Sequence, residues 1–446
     1  MVTTPLLTCI VAAFNAERTL ARTLGSLLSG PGLNGLEVIV IDDGSTDATA
    51  RIGDRFAEMS PCVRVIRQEN RGLGAVRNRG VREALGEFVT FCDADDVFLA
   101  ENQWKLAEQA SRAGADIAVG TGFSLIQNER MEDFWDSALV RTLRRLSGQP
   151  EAGVLKHLLQ PTVCTKLFRR SFVIDRGLRF TEGKLFEDVA FTSLALVSTT
   201  RVLFDPTPVF IYDVHGSGSI TSSRSMRRFE ILDNLTPVLA VCSGVAPAER
   251  AALLASLMRT TLWCLDNTPA EARPSFARAA ADLFAPFASV DLITALERVH
   301  GHLVNHWDVR GLEGVRAACT PGRSLPERAS KLLELSEQTG ATLADLRGKR
   351  VAIAPFNEPA AALRDRLPPA VDFVCFADSF KEGPEVVRPA QLPAVDVVIV
   401  HSPRHWRAIS ASFEGVPILL FQKLGRELTP VDEYARAVEA DPSVEA

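Results

Sequence analysis

From residue 6 to about residue 120 the chain alternates short apolar runs with amphipathic stretches. The apolar runs lie at 6–13, 36–41, 63–67, 87–92 and 116–120. They are continuous rather than alternating, as expected of strands buried on both faces. Between the first two runs Leu20, Leu24, Leu27 and Leu28 recur at helical spacing, with Asn15 placed to cap that helix. Between the next two, Ile52, Phe56 and Met59 supply a buried stripe, Ser45 stands at the N-cap and Asp47 in the first turn. The alternation predicts an α/β fold with a mainly parallel sheet covered on both faces. Each turn then delivers polar residues to the carboxyl ends of the strands, the edge at which open α/β sheets bind ligands.

The stretch from 121 to 225 mixes aromatic and charged residues and ends in the strand-like runs Val202-Leu203-Phe204 and Val209-Phe210-Ile211-Tyr212. From 226 to 345 helical patterns dominate, punctuated by prolines at 269, 274, 286, 321 and 326. The last hundred residues return to α/β alternation, with strands at Arg350–Ala354, Val371–Phe376, Val395–Val400 and Pro417–Phe421 and helices near 358–367 and 403–412. We therefore expect three domains: an α/β domain over 1–225, a helical spacer over 226–345 and a small Rossmann-like α/β domain over 346–446. In the last of these the first turn, Ala354-Pro355-Phe356-Asn357-Glu358-Pro359, has no glycine, so the close backbone approach to a pyrophosphate is missing. No nucleotide is assigned there; self-association into a homo-oligomer, or holding acceptor machinery, is the expected role.

A length of 446 residues fits two or three domains. The 46% hydrophobic and 23% charged content is that of a folded globular protein. A net charge of -6 argues against a nucleic-acid binder. Two arginine clusters, Arg141, Arg144 and Arg145, and Arg224, Arg227 and Arg228, could meet phosphates or an anionic membrane surface, although solvated helix faces are the simpler reading. The eight cysteines have no zinc spacing, and Cys9, Cys92 and Cys375 fall inside apolar runs. Leu6 to Ala13 lacks a basic flank and reads as a strand rather than a signal peptide, and no apolar stretch has bilayer-spanning length. These features point to the cytoplasm, with peripheral contact at the inner face of the membrane as a further expectation.

Two strands end in acids: Val38-Ile39-Val40-Ile41 runs into Asp42-Asp43-Gly44-Ser45, and Phe88-Val89-Thr90-Phe91-Cys92 into Asp93-Ala94-Asp95-Asp96. A buried strand should not end in clustered carboxylates unless they reach water, a cation or donors. Asp93 to Asp96 suits a hard divalent cation, Mg2+ or Mn2+, with Asp95 the chosen ligand. An acidic helix cap is the competing reading. Ala13-Phe14-Asn15-Ala16-Glu17 offers an aromatic face, an amide and a carboxylate within one turn, a set that suits a nucleobase. Asp43 could accept a base imide N–H while Gly44 allows close approach. In Gln68 to Gly80, Arg77 and Asn78 are candidates for phosphate or ribose, and the small residues at 74, 75 and 80 for tight packing on the sheet. Glu187-Asp188 follows a charged loop, and Asp188 can serve as general base, although acids also favour helix starts. His215, in a loop of glycines and serines, is a candidate for metal or diphosphate, against the plainer reading of a lone surface histidine.

Taken in order, Ala13 to Glu17, Asp42 to Asp47, Asn70 to Gly80 and Asp93 to Asp96 resemble the family-two inverting nucleotide-sugar glycosyltransferases with the GT-A fold, over roughly residues 6 to 225. Thr165 to Arg170, Glu187-Asp188 and His215 to Thr221 look like the bacterial surface-polysaccharide branch. The resemblance implies that Phe14 and Asp43 hold the base, that Asp93 and Asp95 serve the ribose and metal, and that Asp188 deprotonates the acceptor. It also implies a single displacement with inversion, a nucleoside-diphosphate sugar donor (uridine-linked) and a glycan or lipid-linked acceptor. Ala12, Thr165 and Asp213 depart from the family's usual proline, asparagine and arginine. A sugar nucleotidyltransferase would be expected to carry a glycine-rich basic loop after its first strand, where this chain has Ala13 to Glu17. A non-catalytic nucleotide-sugar-binding scaffold is the other alternative.

Overall fold

The computed structural model describes residues 4–30, 35–126, 130–214, 224–300 and 306–337, and seven short stretches beyond them (350–354, 372–377, 386–389, 394–395, 397–400, 418–421 and 428–430). The chain opens with β1 (Leu7–Ala13), α1 (Leu20–Leu27), β2 (Leu36–Asp42), α2 (Thr49–Met59), β3 (Val63–Arg67), α3 (Leu73–Glu83) and β4 (Phe88–Asp93). There follow β5 (Val97–Phe98), α4 (Ala100–Arg112), β6 (Ile117–Ile126), β7 (Arg130–Asp133), α5 (Ser137–Arg145) and α6 (Pro150–Leu155). Then come β8 (Lys166–Arg169), α7 (Arg170–Asp175), α8 (Glu187–Val197) and β9 (Val202–Val214). The nine described strands form one sheet in the order β3-β2-β1-β4-β8-β6-β9-β5, with β7 on β6.

The first four strands are parallel, with β1 at the centre between β2 and β4. Its residues Ile10 and Val11 are fully buried, which is why the run is apolar on both faces. β8 is antiparallel to both β4 and β6, so β6 regains the direction of β4, and β9 runs parallel to β6. Only β5, β7 and β8 run the other way, and the sheet is mainly parallel as expected.

Several local expectations shift. Asn15 does not cap α1, and Ser45 does not cap α2. The Asn15 backbone N–H donates to Ser45 Oγ at 2.9 Å, and Asn15 Oδ1 accepts from the Thr46 N–H at 2.9 Å. The two loops bind each other instead of their own helices, and the helices begin later, at Leu20 and Thr49. Met59 is 75% exposed, and Gly53 is buried on the sheet-facing side of α2, where a Cβ would stand 3.2 Å from Val65. Of the small residues on α3, Gly80 packs on the sheet, where a Cβ would come within 2.3 Å of Ile10, whereas Gly74 meets the loop before α8, where a Cβ would come within 2.1 Å of the Thr181 carbonyl oxygen.

Beyond β9 come α9 (Glu230–Cys242), α10 (Pro247–Asp266), α11 (Arg273–Phe284), α12 (Val290–His300), α13 (His306–Cys319) and α14 (Leu325–Glu337). α10 is the hub, with Leu254, Met258 and Leu262 fully buried. Residues 1–335 form one compact unit and 336–446 a second. In the second unit β10 (Arg350–Ala354), β11 (Asp372–Ala377), β12 (Val386–Val387), β13 (Val397–Val400), β14 (Ile418–Phe421) and β15 (Leu428–Pro430) pair in the order β12-β11-β10-β13-β14-β15. All of these pairs are parallel except β14 with β15. The helices expected near 358–367 and 403–412 lie outside the described residues. No single helix among the described residues is long and apolar enough to cross a membrane.

Candidate active site

The carboxyl ends of β1, β2 and β4 converge with the start of α8. At the end of β4 the chain turns through Ala94 and Asp95, and the turn is held against α1: Thr23 Oγ1 lies 3.0 Å from the Ala94 carbonyl and 2.8 Å from that of Asp96, and Arg22 Nη2 donates to the Asp95 carbonyl at 2.5 Å. This turn brings one carboxylate oxygen each from Asp93 and Asp96 and the Cys164 sulfur to within 4.8 Å of one another. Asp95, the ligand chosen from the sequence, is not in that converging group. Asp96 is buried, accepts from the Asp213 N–H at 3.2 Å, and has its pKa pushed well up by burial and by the charges of Asp93 and Asp95. A carboxylate strained in this way would be relieved by a cation. The Cys164 thiol is pushed well up by burial and by Asp93 and Asp96, and a hard cation selects the two carboxylate oxygens over sulfur. A pair of carboxylates is the kind of oxygen donor set that a hard divalent cation accepts.

Arg77 organises the acids. It is buried, donates through Nη2 to Asp93 Oδ1 at 3.0 Å and through Nη1 to Glu187 Oε1 at 2.5 Å, and lies 5.6 Å from the Phe180 ring centroid. Beside Glu187, at the second position of α8, Asp188 has its pKa pushed up to about 7 by burial and by the Glu187 charge, against the opposing pull of Arg77. A base with a pKa near the working pH is suited to proton transfer. Phe186, just before α8, has a positive φ of 65°, a left-handed conformation that costs a bulky residue about 1–3 kcal/mol. Lys166, fully buried, donates to the Gln160 carbonyl at 2.9 Å and the Thr162 carbonyl at 2.7 Å, and burial lowers its pKa to about 8. It shapes the loop that carries Cys164.

The remaining residues are partly engaged within the protein. Asp43 is buried and accepts from Gln68 Nε2 at 2.7 Å, the Arg71 N–H at 3.0 Å and the Gly72 N–H at 2.8 Å, which draws the loop after β3 to the end of β2. Phe14 is 52% exposed at the rim. Glu17 Oε2 accepts from the Ala48 N–H at 3.1 Å. Asn78 Nδ2 donates to the Phe180 carbonyl at 2.9 Å while its Oδ1 accepts from the Phe180 N–H at 2.9 Å, fastening α3 to the loop before α8. His215 lies outside the described residues. Asp213, which departs from the family's usual arginine, pairs with Arg22 at 2.6 Å, so a guanidinium reaches this place from α1. Of the second arginine cluster, Arg224 and Arg227 are exposed, with Arg227 paired to Glu230 at 2.8 Å, while Arg228 is buried.

The family model for glycosyl transferase family 2 matches residues 8–175. The chain carries a family 2 glycosyltransferase domain. EpsH of Bacillus subtilis (strain 168) is 33% identical over 235 residues, 51% of this chain and 66% of EpsH. The succinoglycan biosynthesis protein ExoO of Rhizobium meliloti (strain 1021) is 32% identical over 241 residues, 53% of this chain and 66% of ExoO. The glycosyltransferase GlyA of Streptococcus pneumoniae serotype 4 is 31% identical over 221 residues, which is 48% of this chain and 31% of GlyA. Among solved structures, residues 1–349 of S. aureus TarS with UDP-GlcNAc superpose with a TM-score of 0.55 at 20% identity, covering 74% of this chain and 90% of that one. That likeness places the family 2 domain in a GT-A fold.

Proposed function

We propose that the chain is an inverting glycosyltransferase that moves a sugar from a nucleoside-diphosphate donor, uridine-linked, to a hydroxyl of a glycan, lipid-linked or related acceptor in cell-surface polysaccharide synthesis. The observation that carries the reading is Asp188, with a pKa near 7, at the start of α8 beside Glu187, which Arg77 joins to Asp93 at the end of β4 within the matched family 2 region.

Asp188 takes the proton of the acceptor hydroxyl as that oxygen forms its bond to the anomeric carbon. The bond from the anomeric carbon to the diphosphate oxygen breaks on the opposite face, and the electron pair leaves with the nucleoside diphosphate. Exposed Phe14 would supply a face for the base, and Asp43, bonded to the 68–72 loop, would hold that loop beside it. Asp93 and Asp96, with Asp95 beside them, would hold Mg2+ or Mn2+, which when bound neutralises charge on the departing diphosphate. Arg77 sits between Asp93 and Glu187 and pairs with both, which separates the two carboxylates.

ExoO is named for succinoglycan biosynthesis and TarS was solved with UDP-GlcNAc, and both support the substrate class. All eight cysteines are free, as in a reducing compartment, which supports the cytoplasm as the place of reaction. Incubation with a panel of nucleotide sugars, with and without Mn2+, tests the reading by release of nucleoside diphosphate. Pyrophosphate release from a nucleoside triphosphate and a sugar phosphate would replace it with a nucleotidyltransferase. Absence of both activities together with absence of nucleotide binding would leave only a scaffold.

A further inference from the structure

The loop that delivers Asp188 is held by the helices that follow β9. The Leu185 N–H donates to Glu230 Oε2 at 2.6 Å, and the Leu185 carbonyl accepts from Asn234 Nδ2 at 2.7 Å. Both backbone groups of one residue are therefore bonded to side chains one turn apart on α9. On one side of Leu185, Lys184 pairs with Asp233 at 2.8 Å. On the other, the Phe186 ring meets Trp263 of α10 edge-on at 6.2 Å, and the Arg228 guanidinium lies 5.6 Å from the Phe186 centroid and 4.5 Å from that of Trp263. Glu230 is in turn fixed by Arg227, which donates through Nε at 2.8 Å and Nη2 at 3.0 Å.

The loop needs such support. Gly183 and Phe186 both have positive φ, at 73° and 65°, and α8 begins without a side-chain cap. A left-handed phenylalanine persists only where its surroundings over-determine it. Released, Phe186 would relax, and the first turn of α8 with Asp188 would turn with it.

We propose that α9 is a positioning element for the acceptor base, with Glu230 and Asn234 as the residues that fix Leu185 and thereby the place of Asp188. This rests on the reading of Asp188 as base. Residues 226–335 are then part of the catalytic apparatus rather than a spacer.

The test uses the full chain and hydrolysis of whichever nucleotide sugar of a UDP- and GDP-sugar panel is turned over, with water as acceptor. Misplacing a catalytic group by an ångström costs on the order of a hundredfold, so Glu230→Ala should lower kcat by about 10- to 100-fold. Its donor KM and its UDP affinity by calorimetry should stay unchanged, and its acid pH limb should move. Amide hydrogen exchange over 184–188 should accelerate in the same variant. Glu230→Gln should recover most of the rate, because its amide oxygen still accepts from the Leu185 N–H. Asn234→Ala leaves Glu230 in place and should show a smaller effect of the same kind. Wild-type kcat and exchange in both alanine variants would overturn the proposal, as would a glutamine variant as impaired as the alanine one. Asp188→Asn, run alongside, separates the two levels: if it keeps full turnover the base reading fails, whereas an inactive Asp188→Asn with unaffected α9 variants removes only the clamp.

Discussion

Glu187→Gln should move the acid limb of the pH–rate profile to lower pH. In the wild-type protein the Asp188 pKa is about 7, raised first by burial and next by the Glu187 charge, with Arg77 pulling it down and Asp93 adding to the rise. At pH 6 such a base is ionised in only about one molecule in ten, and at pH 8 in about nine, so turnover should climb nearly tenfold across that range. Glutamine keeps an oxygen for Arg77 Nη1, which now donates to Glu187 at 2.5 Å, but removes the charge. It also leaves more of the Arg77 charge uncompensated beside Asp188, and both changes favour the carboxylate. A shift of one unit, worth about 1.4 kcal/mol, would bring the rate at pH 6 from about a tenth to about half of the plateau.

Stability should follow the same group. Because the folded pKa is raised, the stabilisation that Asp188 gives is complete below its ordinary value of 3.8 and is lost as pH rises through about 7. The wild-type protein should therefore melt lower at pH 8 than at pH 6, with a smaller difference in Glu187→Gln. The assay is donor hydrolysis between pH 5 and 9, with thermal melts at the two pH values. An acid limb that stays in place, or moves to higher pH, would mean that the Glu187 charge does not raise the Asp188 pKa.

Other expectations concern the cation, the packing and the second unit. Asp93→Asn and Asp96→Asn should each weaken Mn2+ binding in the presence of UDP, measured by calorimetry, more than Asp95→Asn does, because the first two converge; a larger loss in Asp95→Asn would return the main ligand role to that residue. Gly74→Val should destabilise the protein by about 1–3 kcal/mol, read as a lower Tm, because its Cβ would lie 2.1 Å from the Thr181 oxygen; an unchanged melt would contradict the close approach. Ending the chain after residue 335 removes the second compact unit but leaves the site, so donor turnover should persist while oligomeric state or acceptor use changes. A truncated enzyme identical in every respect would remove the self-association idea for 346–446.

The strands of the N-terminal sheet were legible because each is a continuous apolar run ended by a polar turn, and β1 to β4 fall within a residue or so of those runs. The acids Asp93, Asp96, Glu187 and Asp188 stood in the same spelling that suggested a site. Which of them meet was not legible. Arg77 joins Glu187 across 110 positions, and Asp96 rather than Asp95 turns toward Asp93 because Thr23 and Arg22 bind the carbonyls of that turn. Local capping rules failed at Asn15 and Ser45 for a related reason: two neighbouring loops offered each residue a partner more distant in sequence than its own helix. Glu230 and Asn234 carried no signal, since a polar residue on an amphipathic helix reads as solvent-facing until the loop it holds is known.

The most direct measurement is turnover of nucleotide sugars by the wild-type protein and by Asp188→Asn, with nucleotide affinity followed in parallel. One nucleoside-diphosphate sugar should be split by the wild type, and the variant should bind the nucleotide equally well while turning over about 10²- to 10⁴-fold more slowly. Wild-type turnover in Asp188→Asn, or nucleotide binding with no donor cleaved by either protein, would contradict the account.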